Sequence, residues 1–267
     1  MRVRVPASIA NLGPGFDVLA MAVDLWLEVE AQPSTAPDWT FEGELAPGLG
    51  GGADPISALA MRGRVRSQIP VGVGLGSSAA ARLAAAALSG APDPFREAWA
   101  REGHADNVAA AAFGGVRLVA RDRVEELPAP ELEVALVVAL EPLSTQAARS
   151  RLPEAVPRPD AVFNLASLAL LLEALHGRRW ELLAEGMRDR LHEPFRRPLY
   201  PWVGDALEAA LGAGAHGAAV AGAGPSAFAL CAPGRGQEVA RAMANASGGK
   251  GRPLVTRVTR EGMRVER

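Results

Sequence analysis

Of the chain's 267 residues one is a cysteine, Cys231, so no disulfide can form within the chain, and a reducing compartment, the cytoplasm, is expected. Lysine is as scarce. The one lysine, Lys250, lies in GGKGRP near the end, which excludes a phosphate loop of the G-x-x-x-x-G-K type. Charge of one sign does not accumulate either. With 28 Lys+Arg against 30 Asp+Glu and a net charge of −2, neither nucleic acid nor an acidic membrane surface is an expected partner. No apolar run is long enough to span a membrane, and MRVRVPAS has no apolar leader core, so a soluble protein is expected. Almost every basic residue is arginine and alanine abounds, which fits both a GC-rich genome and adaptation to heat.

Glycine, by contrast, is plentiful where it matters. PVGVGLGSSAAARLAAAAL, from Pro70 to Leu88, is preceded by RVRSQI (Arg64 to Ile69), which alternates like a strand. It continues with Ala80, Leu83, Ala84, Ala87 and Leu88 at helical spacing. Strand, glycine turn and helix place Ser77 and Ser78 at a helix start, where hydroxyls and free backbone N–H groups suit an anion, most naturally phosphate. The G-x-G-x-x-G dinucleotide pattern does not fit, because Gly74 is followed by Leu75-Gly76, one residue short. A helix cap with a packing turn explains the same residues without a ligand.

Along the rest of the chain, Arg2 to Pro6 and Val18 to Glu30 read as strands around PASIANLGPGFD, a turn-rich loop that gathers Asn11 and Asp17. Gln32 to Gly52 reads as a surface excursion, and Asp54-Pro55 as the start of a short helix running to Met61. A helix from Pro94 to Glu102 leads into GHADN, which brings His104, Asp106 and Asn107 to another helix start before the strand Val116 to Ala120. The prolines of LPAPE mark a boundary, giving a division into residues 1–128 and 129–267. Beyond it are expected a strand Leu132 to Leu140, helices Ala161 to His176 and Trp180 to Leu191, and two strands around Gly222-Ala223-Gly224-Pro225-Ser226. A helix Gly236 to Ala246 and a strand Leu254 to Arg260 close the chain, and the whole reads as a two-domain α+β protein. His192 and Cys231 are read as structural.

PxGxGLGSSAA, the opening PASIANLGPGFD and the turn AGAGPS (Ala221 to Ser226) together resemble the GHMP kinase superfamily. NLGPGFD, EGHADNVAAAAFGGV, LSTQAARSRLP and HEPFRRPLYP resemble its homoserine kinases in particular, in order over almost the whole chain. The resemblance implies the two-domain GHMP kinase fold, with an N-terminal ribosomal protein S5 domain 2-like domain that binds ATP and a C-terminal ferredoxin-like domain. It implies phosphorylation of the side-chain hydroxyl of L-homoserine by ATP with Mg²⁺, in threonine biosynthesis, and is compatible with a homodimer. Carried over, ATP falls on Pro70, Gly72, Gly74, Leu75, Gly76, Ser77, Ser78 and Ala79. The metal falls on Ser77 or Ser78 with Glu97 or Glu102, between which the local spacing does not decide. The amino acid falls on Asn11 and Asp17 through its ammonium, and on Arg149 and Arg196 through its carboxylate, where a bidentate guanidinium is the expected chemistry. His104, Asp106 and Asn107 fall near the reacting groups. With no lysine at hand, catalysis by positioning and charge neutralisation is expected, with Asn107 orienting the hydroxyl and the proton passing to phosphate or water. The chain departs from the family in its short stretch from Glu30 to Pro70, which touches the adenine contacts, and in Asp54, where an asparagine is common. Other readings are a kinase of a different alcohol, a serine hydrolase using Ser78, against which the missing G-x-S-x-G elbow speaks, and a catalytically silent amino-acid sensor.

Overall fold

The computed structural model describes residues 1–44 and 55–266. In chain order the elements are β1 (Arg2–Asn11), β2 (Gly15–Pro33), β3 (Asp38–Gly43), β4 (Met61–Ser67), α1 (Ser77–Leu88), α2 (Pro94–Glu102), α3 (Asp106–Phe113), β5 (Val116–Ala120), β6 (Arg123–Leu127) and β7 (Glu133–Ala139). There follow α4 (Thr145–Arg149), α5 (Arg158–Gly177), α6 (Leu183–Gly186), α7 (Glu193–Arg196), α8 (Trp202–Gly212), β8 (Gly217–Val220), β9 (Ala227–Cys231), α9 (Gly236–Ala246), β10 (Gly251–Arg257) and β11 (Arg264–Glu266).

Two sheets result. The larger runs β11-β1-β2-β4-β3, with β5 paired to β2 and β6 to β5; the smaller runs β10-β7-β9-β8. Counted along the second half, that order is 4-1-3-2, the ferredoxin-like arrangement expected for the C-terminal domain. The apolar run of β7 shows why this sheet must be covered on both faces. Val134, Leu136 and Val138 join the large core, while Ala135 and Val137 join a second cluster under α8 and α9 with Val203, Val239 and Met243. Alanine carries the first half: Ala79, Ala80, Ala84, Ala109 and Ala111 are buried in the large core, small enough to let α1 and α3 approach the sheet closely. The chain's last strand, β11, returns to pair with β1, so the larger sheet draws on both ends of the sequence.

Several elements differ from the sequence reading. Asp54 lies outside the described residues, and residues 55–60 form turns, Met61 already being paired in β4. The stretch taken as an excursion contains β3, parallel to β4. The strand expected over Arg64 to Ile69 begins and ends earlier, at Met61 and Ser67; just past it the N–H of Trp26 goes to Gln68 Oε1 rather than to the backbone carbonyl. The helix expected from Trp180 to Leu191 is a 3₁₀ turn (Trp180–Leu182) plus the single turn α6. It ends where the Asp189 carboxylate collects the backbone N–H groups of Leu191, His192 and Glu193, an arrangement that competes with helix. β10 spans Gly251–Arg257 rather than reaching Arg260, and Val258 keeps only an isolated bridge to Val23. Among the described residues one helix, α5, is long and apolar enough by composition to cross a membrane; it packs Leu171, Ala174 and Leu175 into the core.

Candidate active site

One cleft collects residues from six separate stretches: Asn11 and Asp17; Gly72 to Ser78; Glu102 to Asn107; Thr145 and Arg149; Arg196; and Gly222. The glycine loop forms its floor. Gly74 (φ +89°) and Gly76 (φ +70°) take left-handed backbone, and a Cβ there would meet the carbonyl oxygen of Ala221 at 2.1 Å and Oγ of Ser8 at 2.2 Å. Only glycine lets the loop lie this close to its neighbours. α1 starts at Ser77, and its first-turn N–H groups have no partner in the helix. Gly72, Gly74, Gly76, Ser77 and Ser78 line the cleft, whereas Pro70, Leu75 and Ala79 are buried beneath it.

At one end of α1, Ser78 Oγ donates to Glu102 Oε2 at 3.0 Å. Arg82, one turn on, reaches both, with Nε 3.2 Å from Ser78 Oγ and 2.9 Å from Glu102 Oε2, and it also donates to the carbonyl oxygen of Arg101. Glu97 is not brought here. It sits one helical turn earlier on α2, paired with Arg101 at 2.7 Å and facing another hollow. Of the two carboxylates that spacing left open, Glu102 lines the cleft and Glu97 does not. Arg82 was missed, although its position four residues after Ser78 on one helix face was a readable signal.

Asp106, nearly fully buried at the start of α3, accepts from its neighbour's backbone, the N–H of Asn107, at 2.7 Å, and holds His104 Nδ1 at 3.0 Å. That hydrogen bond raises the His104 pKa above its ordinary value, favouring a cation on this wall. Asn107 Oδ1 is buried and has no protein partner. An acceptor left open in a polar cleft is a place for a ligand's O–H or N–H.

Opposite, Asp17, itself in left-handed backbone (φ 58°), takes a two-pronged bond from Arg149: Nη1 to Oδ2 at 3.0 Å and Nη2 to Oδ1 at 2.6 Å. The pairing raises the arginine's pKa further above its usual value. Asn11 is fully engaged, its Nδ2 donating to Gly222 O at 2.8 Å and its Oδ1 accepting from the N–H of Asp17 at 3.2 Å. It therefore braces the loop that presents Asp17. Arg196 is 1 % exposed, yet its Nε has no partner. Its Nη1 faces His192 Nδ1 at 3.1 Å and Gly222 O at 3.4 Å, and its guanidinium lies 5.2 Å over the Phe16 ring. Burial lowers its pKa, as expected of a desolvated cation that still lacks an anion. Thr145, at the start of α4, also lines the cleft and was not singled out from the sequence, although it lies in the STQAAR motif.

The family model for the C-terminal domain of GHMP kinases matches residues 171–249. A homoserine kinase of Thermus thermophilus is 42% identical over 276 aligned positions, covering 95% of this chain and 94% of its own. One from Parasynechococcus marenigrum is 41% identical, covering 91% and 88%. Among solved structures, a homoserine kinase from Cytophaga hutchinsonii superposes with a TM-score of 0.84 at 28% identity, over 100% of this chain and 97% of that one. A mevalonate kinase from L. major shares the fold, at a TM-score of 0.73 and 16% identity. With the motifs, the cleft and the near full-length likeness in agreement, the chain belongs to the homoserine kinases of the GHMP kinase superfamily.

Proposed function

We propose that this cleft transfers the γ-phosphoryl group of ATP to the side-chain hydroxyl of L-homoserine, giving O-phospho-L-homoserine and ADP, a step toward threonine. The observation that carries the reading is Arg196, buried and with no protein partner for its Nε, on the wall of a cleft that also holds the Asp17–Arg149 pair and whose floor is the glycine loop. A zwitterion fits that wall: its carboxylate meets Arg196 and Arg149, and its ammonium meets Asp17. The hydroxyl then reaches Asn107 Oδ1, an acceptor that lacks a protein donor. ATP phosphates lie along Gly72 to Ser78, held by backbone N–H groups and the start of α1. We read residues 1–128 as the nucleotide-binding half and residues 129–267 as the half that supplies both arginines.

The substrate oxygen forms the new bond to phosphorus as the bond to the β,γ-bridging oxygen breaks, and the proton leaves for a phosphoryl oxygen or water. No lysine is near and Asp106 is already tied to His104 and to backbone, so catalysis rests on alignment and on charge. His104, favoured as a cation, faces the negative charge of the transferring group. Magnesium fits the hard oxygen donors Ser78 and Glu102, with Ser77 adjacent; few protein ligands and several phosphate oxygens are usual for this ion. When bound it would neutralise phosphate charge.

The test is ADP release, in a coupled assay, with ATP and magnesium against L-homoserine, mevalonate, galactose, L-threonine and no acceptor. Turnover that needs L-homoserine supports the reading. Turnover with another alcohol keeps the kinase and replaces the substrate; binding of L-homoserine without turnover with any acceptor identifies a sensor.

A further inference from the structure

His192, fully buried at the start of α7, touches none of the groups that would react, yet it joins two parts of the substrate wall. Its Nε2 lies 2.9 Å from the carbonyl oxygen of Gly13, in the loop that presents Asp17. Its Nδ1 lies 3.1 Å from Nη1 of Arg196. Its ring stacks on Phe16 at 5.2 Å, the same ring on which the Arg196 guanidinium rests. A carbonyl oxygen can only accept and a guanidinium can only donate. The two contacts together therefore demand one form of the ring: neutral, with hydrogen on Nε2 and the lone pair on Nδ1.

We propose that His192 is a positioning residue for substrate capture: as the Nε2–H tautomer it clamps the loop after β1 to Arg196 and fixes the guanidinium on the wall where the substrate carboxylate would bind. This rests on the reading of the cleft as an amino-acid site. A proton on Nδ1 would set one N–H against another and drive the guanidinium off its seat. The charged and titratable groups around the ring are Asp189 (3.7 Å from Nε2) and Arg196 from its own segment, Asp17 from the loop, Arg149 across Phe16, and the buried Glu193 and Tyr200 beside it. Asp189 is already committed to three backbone N–H groups and to Asn164 Nδ2. Burial outweighs its pull and holds the histidine's pKa below the ordinary value, so the ring stays neutral at pH 7.

Three variants separate positioning from packing. His192→Phe keeps the stack and removes both hydrogen bonds, His192→Asn keeps an acceptor near the Nδ1 position, and His192→Gln keeps a donor near the Nε2 position. Loss of a buried hydrogen-bond pair predicts a KM for L-homoserine raised about 30-fold in His192→Phe, with kcat and the KM for ATP changed less than about 3-fold. His192→Asn recovers most of that affinity; His192→Gln does not. Equal KM values in the Asn and Gln variants, or a KM for ATP that moves as far as that for L-homoserine, would overturn the proposal. Should His192→Phe fail to fold, the Asn and Gln pair decides. Independently of turnover, ¹⁵N NMR of the free protein must find hydrogen on Nε2 at pH 7; an Nδ1–H or charged ring contradicts the assignment. An enzyme with this tautomer but no activity on L-homoserine would overturn the functional reading and leave the clamp standing.

Discussion

The floor of the cleft, Gly72 to Ser78 with α1, offers its ligand mainly backbone N–H groups and small hydroxyls, whereas the wall opposite, Asp17, Arg149, His192 and Arg196, is made of charged and polar side chains, two of them fully buried and nearly all bonded to one another. The difference fits what each is proposed to bind. Phosphate is symmetric and highly charged, so converging N–H dipoles suffice and side-chain shape matters little. A small zwitterion must be told from other alcohols by two charges a few ångströms apart. That discrimination needs groups whose positions are already fixed and whose desolvation has been met by the fold.

Among the substitutions, the one at the residue proposed to meet the hydroxyl should show the largest effect on rate. Asn107→Ala removes the acceptor proposed for the hydroxyl, and kcat is expected to fall about 100-fold with little change in either KM, as for a group that acts mainly on the aligned complex. Full turnover in steady-state kinetics of this variant would break the assignment. Next come the carboxylates of α2. Glu102→Gln should raise the magnesium concentration needed for half-maximal rate about 10-fold, while Glu97→Gln, tied only to Arg101 away from the cleft, should leave it unchanged. A magnesium titration that responds to Glu97 instead would reverse the choice.

A further effect is one of stability rather than rate. Glu193, buried behind the wall and accepting from the N–H of Val220, has its pKa raised by burial to about 7. Because the folded protein holds this proton more tightly than the unfolded chain does, stability falls as pH rises from the ordinary carboxyl range toward 7, by roughly 3 kcal/mol if no other group compensates. Glu193→Gln keeps the acceptor and loses the titration. Its unfolding free energy, measured by urea from pH 5 to 8, should be flatter than that of the parent; identical slopes would remove this carboxyl from the account.

The same contrast explains what could be read from the sequence. The floor is contiguous, and its glycine turn and following helix were legible from spacing alone. The helices Pro94–Glu102 and Gly236–Ala246 were likewise legible, because cap residues and apolar period are local signals. The wall is assembled from residues near positions 17, 107, 149, 192 and 222, and nothing local says that Gly222 O will take bonds from both Asn11 and Arg196. The turn-rich loop marked Asp17 and the GHADN stretch marked Asn107, but only the family resemblance pointed to Arg149 and Arg196, and neither pointed to His192. His192 reads as a core histidine because burial and the two contacts that fix its tautomer exist only in three dimensions. Where the reading ran long, as at Trp180 to Leu191, the apolar period continued through residues whose backbone Asp189 had drawn into a turn.

The most direct test of a wall that recognises both charges is kcat/KM for L-homoserine against two analogues, 4-hydroxybutyrate, which lacks the ammonium, and 3-amino-1-propanol, which lacks the carboxylate. Each should lose about 1,000-fold or more, since one leaves Asp17 without the ammonium and the other leaves the buried Arg196 without an anion, with the KM for ATP unchanged. Either analogue phosphorylated nearly as well as L-homoserine would show that the wall does not select the substrate.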